Sequence, residues 1–76
     1  MNLHFSPERL RGLRHSAGWT RAILADRAVL ATSTIQAYEQ GRAAPSAAAL
    51  GRLAMALSCS IDDLYVRTDA VMADVA

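Results

Sequence analysis

The stretch Thr20–Gly41, TRAILADRAVLATSTIQAYEQG, decides how this chain folds. Ile23, Leu24 and Arg27 or Ala28 recur at helical spacing, and Ile35 and Tyr38 stand three apart on a second helical face. Val29, Leu30 and Ala31 separate the two, so the stretch reads as two short helices with a tight connection. Helices of under about a dozen residues are marginal in water on their own. Each therefore needs the other, and both need further helices to cover them.

The flanks supply those helices. Ser6-Pro7-Glu8 is a helix start, with Ser as N-cap, Pro at the first helical position and an acid at the positive end of the dipole. That helix runs to about Ala17, with Leu10 and Leu13 inward and Gly18 as its stop. Arg9, Arg11 and Arg14 are expected to point away from the core, as a solvated face or with one of them on a phosphate. Trp19 precedes the N-cap Thr20 and is placed to pack on Leu24 as a hydrophobic staple. Downstream, Ser46 caps a helix to about Leu57, with Leu50, Leu53, Ala54 and Leu57 inward. Gly51 weakens that helix by about 1 kcal/mol and is compatible with a close crossing. Ser60-Ile61-Asp62-Asp63 repeats the capping logic for a fifth helix, with Ile61, Leu64 and Tyr65 closing the core.

Seventy-six residues allow one small domain, with a core so limited that dimerisation would help it. Sixteen Ala and nine Leu against four aromatic residues favour close-packed helices over a sheet. The net charge of +1 carries little information, but its distribution carries more. Residues 1–42 hold six Arg and three acids, whereas residues 43–76 hold two Arg and four acids. A basic half beside an acidic half is expected where one face meets phosphates. All eight cations are Arg, which bonds phosphates and guanine edges bidentately, although a GC-rich genome enriches Arg and Ala together.

The stretch resembles the helix-turn-helix of the lambda-repressor-like (Cro/XRE-type) DNA-binding family. Ala25 sits at the expected close crossing, Ile35 follows ten residues later, and then come Tyr38, Glu39 and Gly41. The resemblance extends from about Ser6 to Tyr65 and includes PSAAALGRLAMALSCSIDDLY. It implies an all-α, compact five-helix domain over residues 1–65, with the helix-turn-helix formed by helices 2 and 3. Residues 66–76 are then a C-terminal tail, a short helix carrying Val71, Met72 and Val75 or a disordered end, with contact between two copies as a further role.

The resemblance also implies a site. Helix 3, residues 32–40, would enter the major groove by its N-terminal turn, with Thr32, Ser33, Gln36 and Ala37 on base edges. Ser and Thr bond several bases, Gln pairs with adenine, and an Ala methyl touches a thymine methyl. Arg21, Thr20, Arg42 and Arg14 are the candidate phosphate contacts. Many relatives have Gln where Arg21 stands. Tyr38 is read as core, its hydroxyl being the alternative phosphate donor.

Two positions depart from the family pattern. Gly is common where Val29 stands, because the backbone there takes a positive φ; Val would cost about 1–2 kcal/mol. Either the loop follows a different path or packing of Val29 offsets the strain. Ala31 replaces a Ser or Thr N-cap, forfeiting about 1 kcal/mol unless Thr32 or Ser33 caps instead and shifts the helix start by a residue.

The remaining chemistry points away from an enzyme. His4 and His15 are isolated, Asp62 and Asp63 are explained by capping, and Cys59 alone forms neither an intramolecular disulfide nor a metal site and is read as a buried small side chain. Neither cofactor nor small-molecule ligand is expected. With no apolar run of membrane-spanning length and no signal-peptide core, the expected setting is cytoplasmic. The expected partner is a double-stranded DNA operator, bound by a homodimer, and the expected role is a bacterial or phage transcriptional regulator. Two other readings stay open: an antitoxin of a toxin–antitoxin pair, and a protein-interaction module that keeps the fold without DNA binding.

Overall fold

The computed structural model describes residues 3–67. In chain order the elements are β1 (Leu3–Phe5), α1 (Pro7–Ser16), α2 (Arg21–Ala28), α3 (Thr32–Glu39), α4 (Ala47–Leu57), a 3₁₀ turn (Ile61–Leu64) and β2 (Tyr65–Arg67). Among the described residues, four α-helices and a small antiparallel sheet thus replace the expected five helices. Ser60 and Asp63 do form the reciprocal capping box, but the chain leaves helical geometry after Leu64. Tyr65 is extended, at φ −116° and ψ 152°, and pairs with Phe5, while Val66 and Arg67 pair with His4 and Leu3. The ladder takes up the backbone groups that a fifth helix would have used. Val66 and Arg67 therefore belong to the fold, and the expected apolar face of Val71, Met72 and Val75 lies outside the described residues.

The core draws one fully buried side chain from each of α1, α2, α3, α4 and the 3₁₀ turn: Leu10, Leu24, Ile35, Leu53 and Leu64. Buried Ala25, Ala28, Ala49 and Ala54 keep the short helices close, and Tyr38 completes the cluster edge-on to Phe5 at 6.2 Å between ring centroids. The Ser6 amide donates to the Leu64 carbonyl at 2.8 Å, which ties the entry of α1 to the 3₁₀ turn. Leu13, Trp19 and Leu57 pack at the margin of the core, and Cys59 is half-buried rather than interior. Ile61 is exposed instead of closing the core, and a Cβ at Gly51 would meet nothing within 4 Å, so that glycine serves no close crossing.

The capping follows the residues. Ser6, Thr20 and Ser46 side chains accept from the amides of Arg9, Ile23 and Ala49. Ala31 caps α3 with no side-chain bond, so neither Thr32 nor Ser33 shifts the start of that helix. All four helices end alike: the second or third residue past the helix donates to a carbonyl five residues back, as in Trp19 to Arg14, Leu30 to Ala25, Arg42 to Ala37 and Cys59 to Ala54. That closure requires a left-handed residue. Gly18 and Gly41 supply it without strain after α1 and α3, whereas Val29 (φ 56°) and Ser58 (φ 54°) adopt it after α2 and α4. Val29 is 74% exposed, so the turn takes the family's usual path and packing does not offset the strain.

Candidate nucleic-acid interface

The short α2–α3 connection, Val29 to Ala31, sets two eight-residue helices against each other over Leu24, Ala25, Ala28 and Ile35. On α3, the i, i+3, i+4 stripe Ile35, Tyr38 and Glu39 is buried. The other side shows Thr32 and Ser33 exposed at the N-terminal turn, with Gln36 and Ala37 half-buried behind them. Small hydroxyl, amide and methyl groups thus line the free edge of a helix whose back is fixed in the core. Gln40 and Arg42 are exposed just past its end.

The underside of α3 holds a charge cluster. Glu39, with no side-chain exposure, accepts from Arg14 Nε at 2.6 Å on Oε2 and from Arg14 Nη2 at 2.9 Å on Oε1. Arg21 Nε donates to the same Oε1 at 3.1 Å. Arg14 Nη1 reaches the Trp19 carbonyl at 2.9 Å, and Nη2 lies 3.2 Å from His15 Nε2. Burial opposes ionisation of Glu39, but the hydrogen bonds and charges of Arg14 and Arg21 outweigh it and hold the carboxyl below the usual carboxylate range. The Glu39 hydrogen bond raises the Arg14 pKa against the opposing effect of burial. Burial, with a smaller contribution from Asp63, likewise pushes the Cys59 thiol up.

This cluster revises the expectation for α1. Arg14 does not point away from the core but is 7% exposed, its guanidinium turned inward onto Glu39 and Trp19. It ties α1 to α3, with Nε, Nη1 and Nη2 all engaged inside the protein. Arg9 and Arg11 are the solvated ones. Arg21 differs again: its side chain is 36% exposed, and among the described residues only its Nε is engaged. Thr20 caps α2 through its hydroxyl oxygen and keeps its hydroxyl proton to donate. Arg27 lies over the Trp19 ring, 4.8 Å from its centroid, and holds the indole at the start of α2. Glu39 as the hub of this cluster was missed in the sequence; its signal was its place on the same helical stripe as Ile35 and Tyr38.

An exposed polar helix edge propped by a two-helix unit defines the class, a helix-turn-helix domain. A helix-turn-helix domain family model matches residues 8–65, and the chain belongs to that family. No curated protein sequence matches the chain. Among solved structures it is similar to the restriction-modification controller protein C.AhdI from Aeromonas hydrophila, at 31% identity and a TM-score of 0.74, over 76% of this chain and 88% of that one. The lambda-repressor-like resemblance read from residues 6–65 is thereby supported, with a strand pair where a fifth helix was expected. Among the described residues no helix is long and apolar enough to cross a membrane.

Proposed function

We propose that this protein is a sequence-specific double-stranded DNA-binding transcriptional regulator, with α3 lying in the major groove. The observation that carries the reading is the disposition of α3, with Ile35, Tyr38 and Glu39 sealed while Thr32, Ser33, Gln36 and Ala37 border solvent at its leading end. In a helix-turn-helix domain that end of the second helix meets base edges. Gln36 presents a donor and an acceptor suited to adenine, Thr32 and Ser33 add adaptable hydroxyls, and Ala37 offers a methyl to thymine. Arg21, Thr20 and Arg42 are the proposed phosphate contacts; Arg14 is not among them because Glu39 and Trp19 occupy it.

The likeness to a restriction-modification controller supports a regulatory role of that kind for this chain. A single small domain makes few contacts, so the reading includes a homodimer on two half-sites about 34 Å apart. Selection of bound duplexes from a random pool tests it. Enrichment of a motif with two-fold symmetry at that spacing is the expected outcome. Recovery of no common motif would refute the reading and favour the protein-interaction alternative.

A further inference from the structure

Glu39 is bonded by two cations, although one suffices to neutralise it. Arg14 already engages both carboxylate oxygens in the bidentate geometry that buried ion pairs favour. Arg21 adds a second positive charge through a single nitrogen, leaving the cluster of these three side chains at +1. The bond uses the inner Nε of Arg21. Both terminal amino groups, Nη1 and Nη2, are therefore without a partner among the described residues, on a side chain that is one-third exposed. Arg21 is also the first residue of α2, where the first-turn amides that lack a carbonyl four residues back favour anions.

We propose that Glu39 is a positioning residue: from the buried face of α3 it grips Arg21 by Nε and turns the Arg21 fork outward as a bidentate clamp for a DNA phosphate. The inference rests on the DNA-binding reading above and deepens it. The same carboxylate ties α1 to α3 through Arg14, so the angle of the base-reading helix and the direction of the clamp are set at one point. Seating α3 in the groove then brings a preformed donor pair to the backbone instead of a free-swinging side chain, which reduces the ordering cost of each hydrogen bond. A cation at this position that lacked the inward bond would still attract DNA but would hold no fixed register on it.

The test compares wild type, Arg21→Ala and Arg21→Lys on a double-stranded oligonucleotide selected from a random pool, titrated at several salt concentrations. Arg14 still neutralises Glu39 in both variants, so their melting temperatures should stay near that of the wild type. Arg21→Ala should weaken binding about tenfold and flatten the salt dependence by about 0.9 in log–log slope, the value of one phosphate contact. Arg21→Lys keeps the charge but not the inner nitrogen and outer fork. It should therefore lose at least about half of the tenfold, measured on a logarithmic scale. Lysine binding within about twofold of wild type, or an alanine variant with an unchanged slope, would overturn the proposal. In the Arg14→Met/Glu39→Leu background, which removes the acceptor together with its buried counter-charge, the Arg21→Ala loss should shrink to about threefold or less, and a loss that stays at about tenfold would also overturn it. Should that background fail to fold, the lysine comparison decides alone. A wild type that binds no duplex would instead sink the DNA-binding reading, and this inference with it.

Discussion

Replacing Val29 by glycine should stabilise the protein, although it deletes an apolar side chain. Val29 sits at φ 56° and ψ 49°, where an L-residue pays about 1–2 kcal/mol relative to its preferred regions. Glycine removes that penalty and returns about 0.5–1 kcal/mol as extra freedom of the unfolded chain. The side chain is 74% exposed, so losing it forfeits under about 0.5 kcal/mol of burial. The net expected for Val29→Gly is a gain of about 0.5 kcal/mol. Ser58, at φ 54° in the equivalent place after α4, gives a second test with almost no packing to lose. The two caps end different helices, so the gains should add to about 1 kcal/mol, worth about 4–8 °C in melting temperature for a domain of this size. Thermal melts followed by circular dichroism on both single variants and the double variant measure it. A fall in melting temperature for Val29→Gly would refute the reasoning, because it would mean that the valine gains more from its surroundings than the left-handed turn costs.

The other predictions concern the buried charge cluster. Glu39→Leu alone should cost about 3–5 kcal/mol, because it leaves the Arg14 guanidinium buried without its carboxylate. Adding Arg14→Met should restore most of that loss, as measured by denaturant midpoints, since an apolar pair of similar volume needs no compensation. The cluster also sets an acid limit. Glu39 is held below its reference value of 4.5 in the folded state, so the unfolded chain binds the proton more readily. Its contribution is therefore complete above that value and is lost as pH falls through the lower folded value. Urea midpoints of the wild type should drop steeply on acidification, and the Arg14→Met/Glu39→Leu double variant should show a shallower drop. Equal pH profiles would remove Glu39 from the account of acid sensitivity.

The helical part of the fold was legible because its signals are local. Ser6, Thr20, Ser46 and Ser60 each announce a helix start by a side-chain acceptor three residues ahead of an amide, and all four bonds are present. The strand pair was not legible, since Leu3–Phe5 and Tyr65–Arg67 are three residues each, too short to show a period of two, and their partners lie about sixty residues apart in the sequence. Distance along the chain also hid the charge cluster. Arg14 stands four residues after Leu10, and Glu39 four after Ile35, so helical spacing places both on buried stripes. Charge argued for the surface, and only the meeting of α1 with α3 shows that each compensates the other. At Val29 the family pattern identified the left-handed turn correctly, but whether the side chain packed there depends on neighbours that the turn itself does not specify.

Selecting duplexes from one random pool with the wild type and with Gln36→Ala shows whether α3 reads bases. Gln36 borders the exposed edge of α3 while its neighbour Ile35 is fully buried, so the variant should fold as the wild type does. The wild type should select a defined motif, and the variant the same motif with preference relaxed at one base pair in each half-site, at a cost of about 1–3 kcal/mol in discrimination there. Identical motifs from both proteins would contradict base reading by α3.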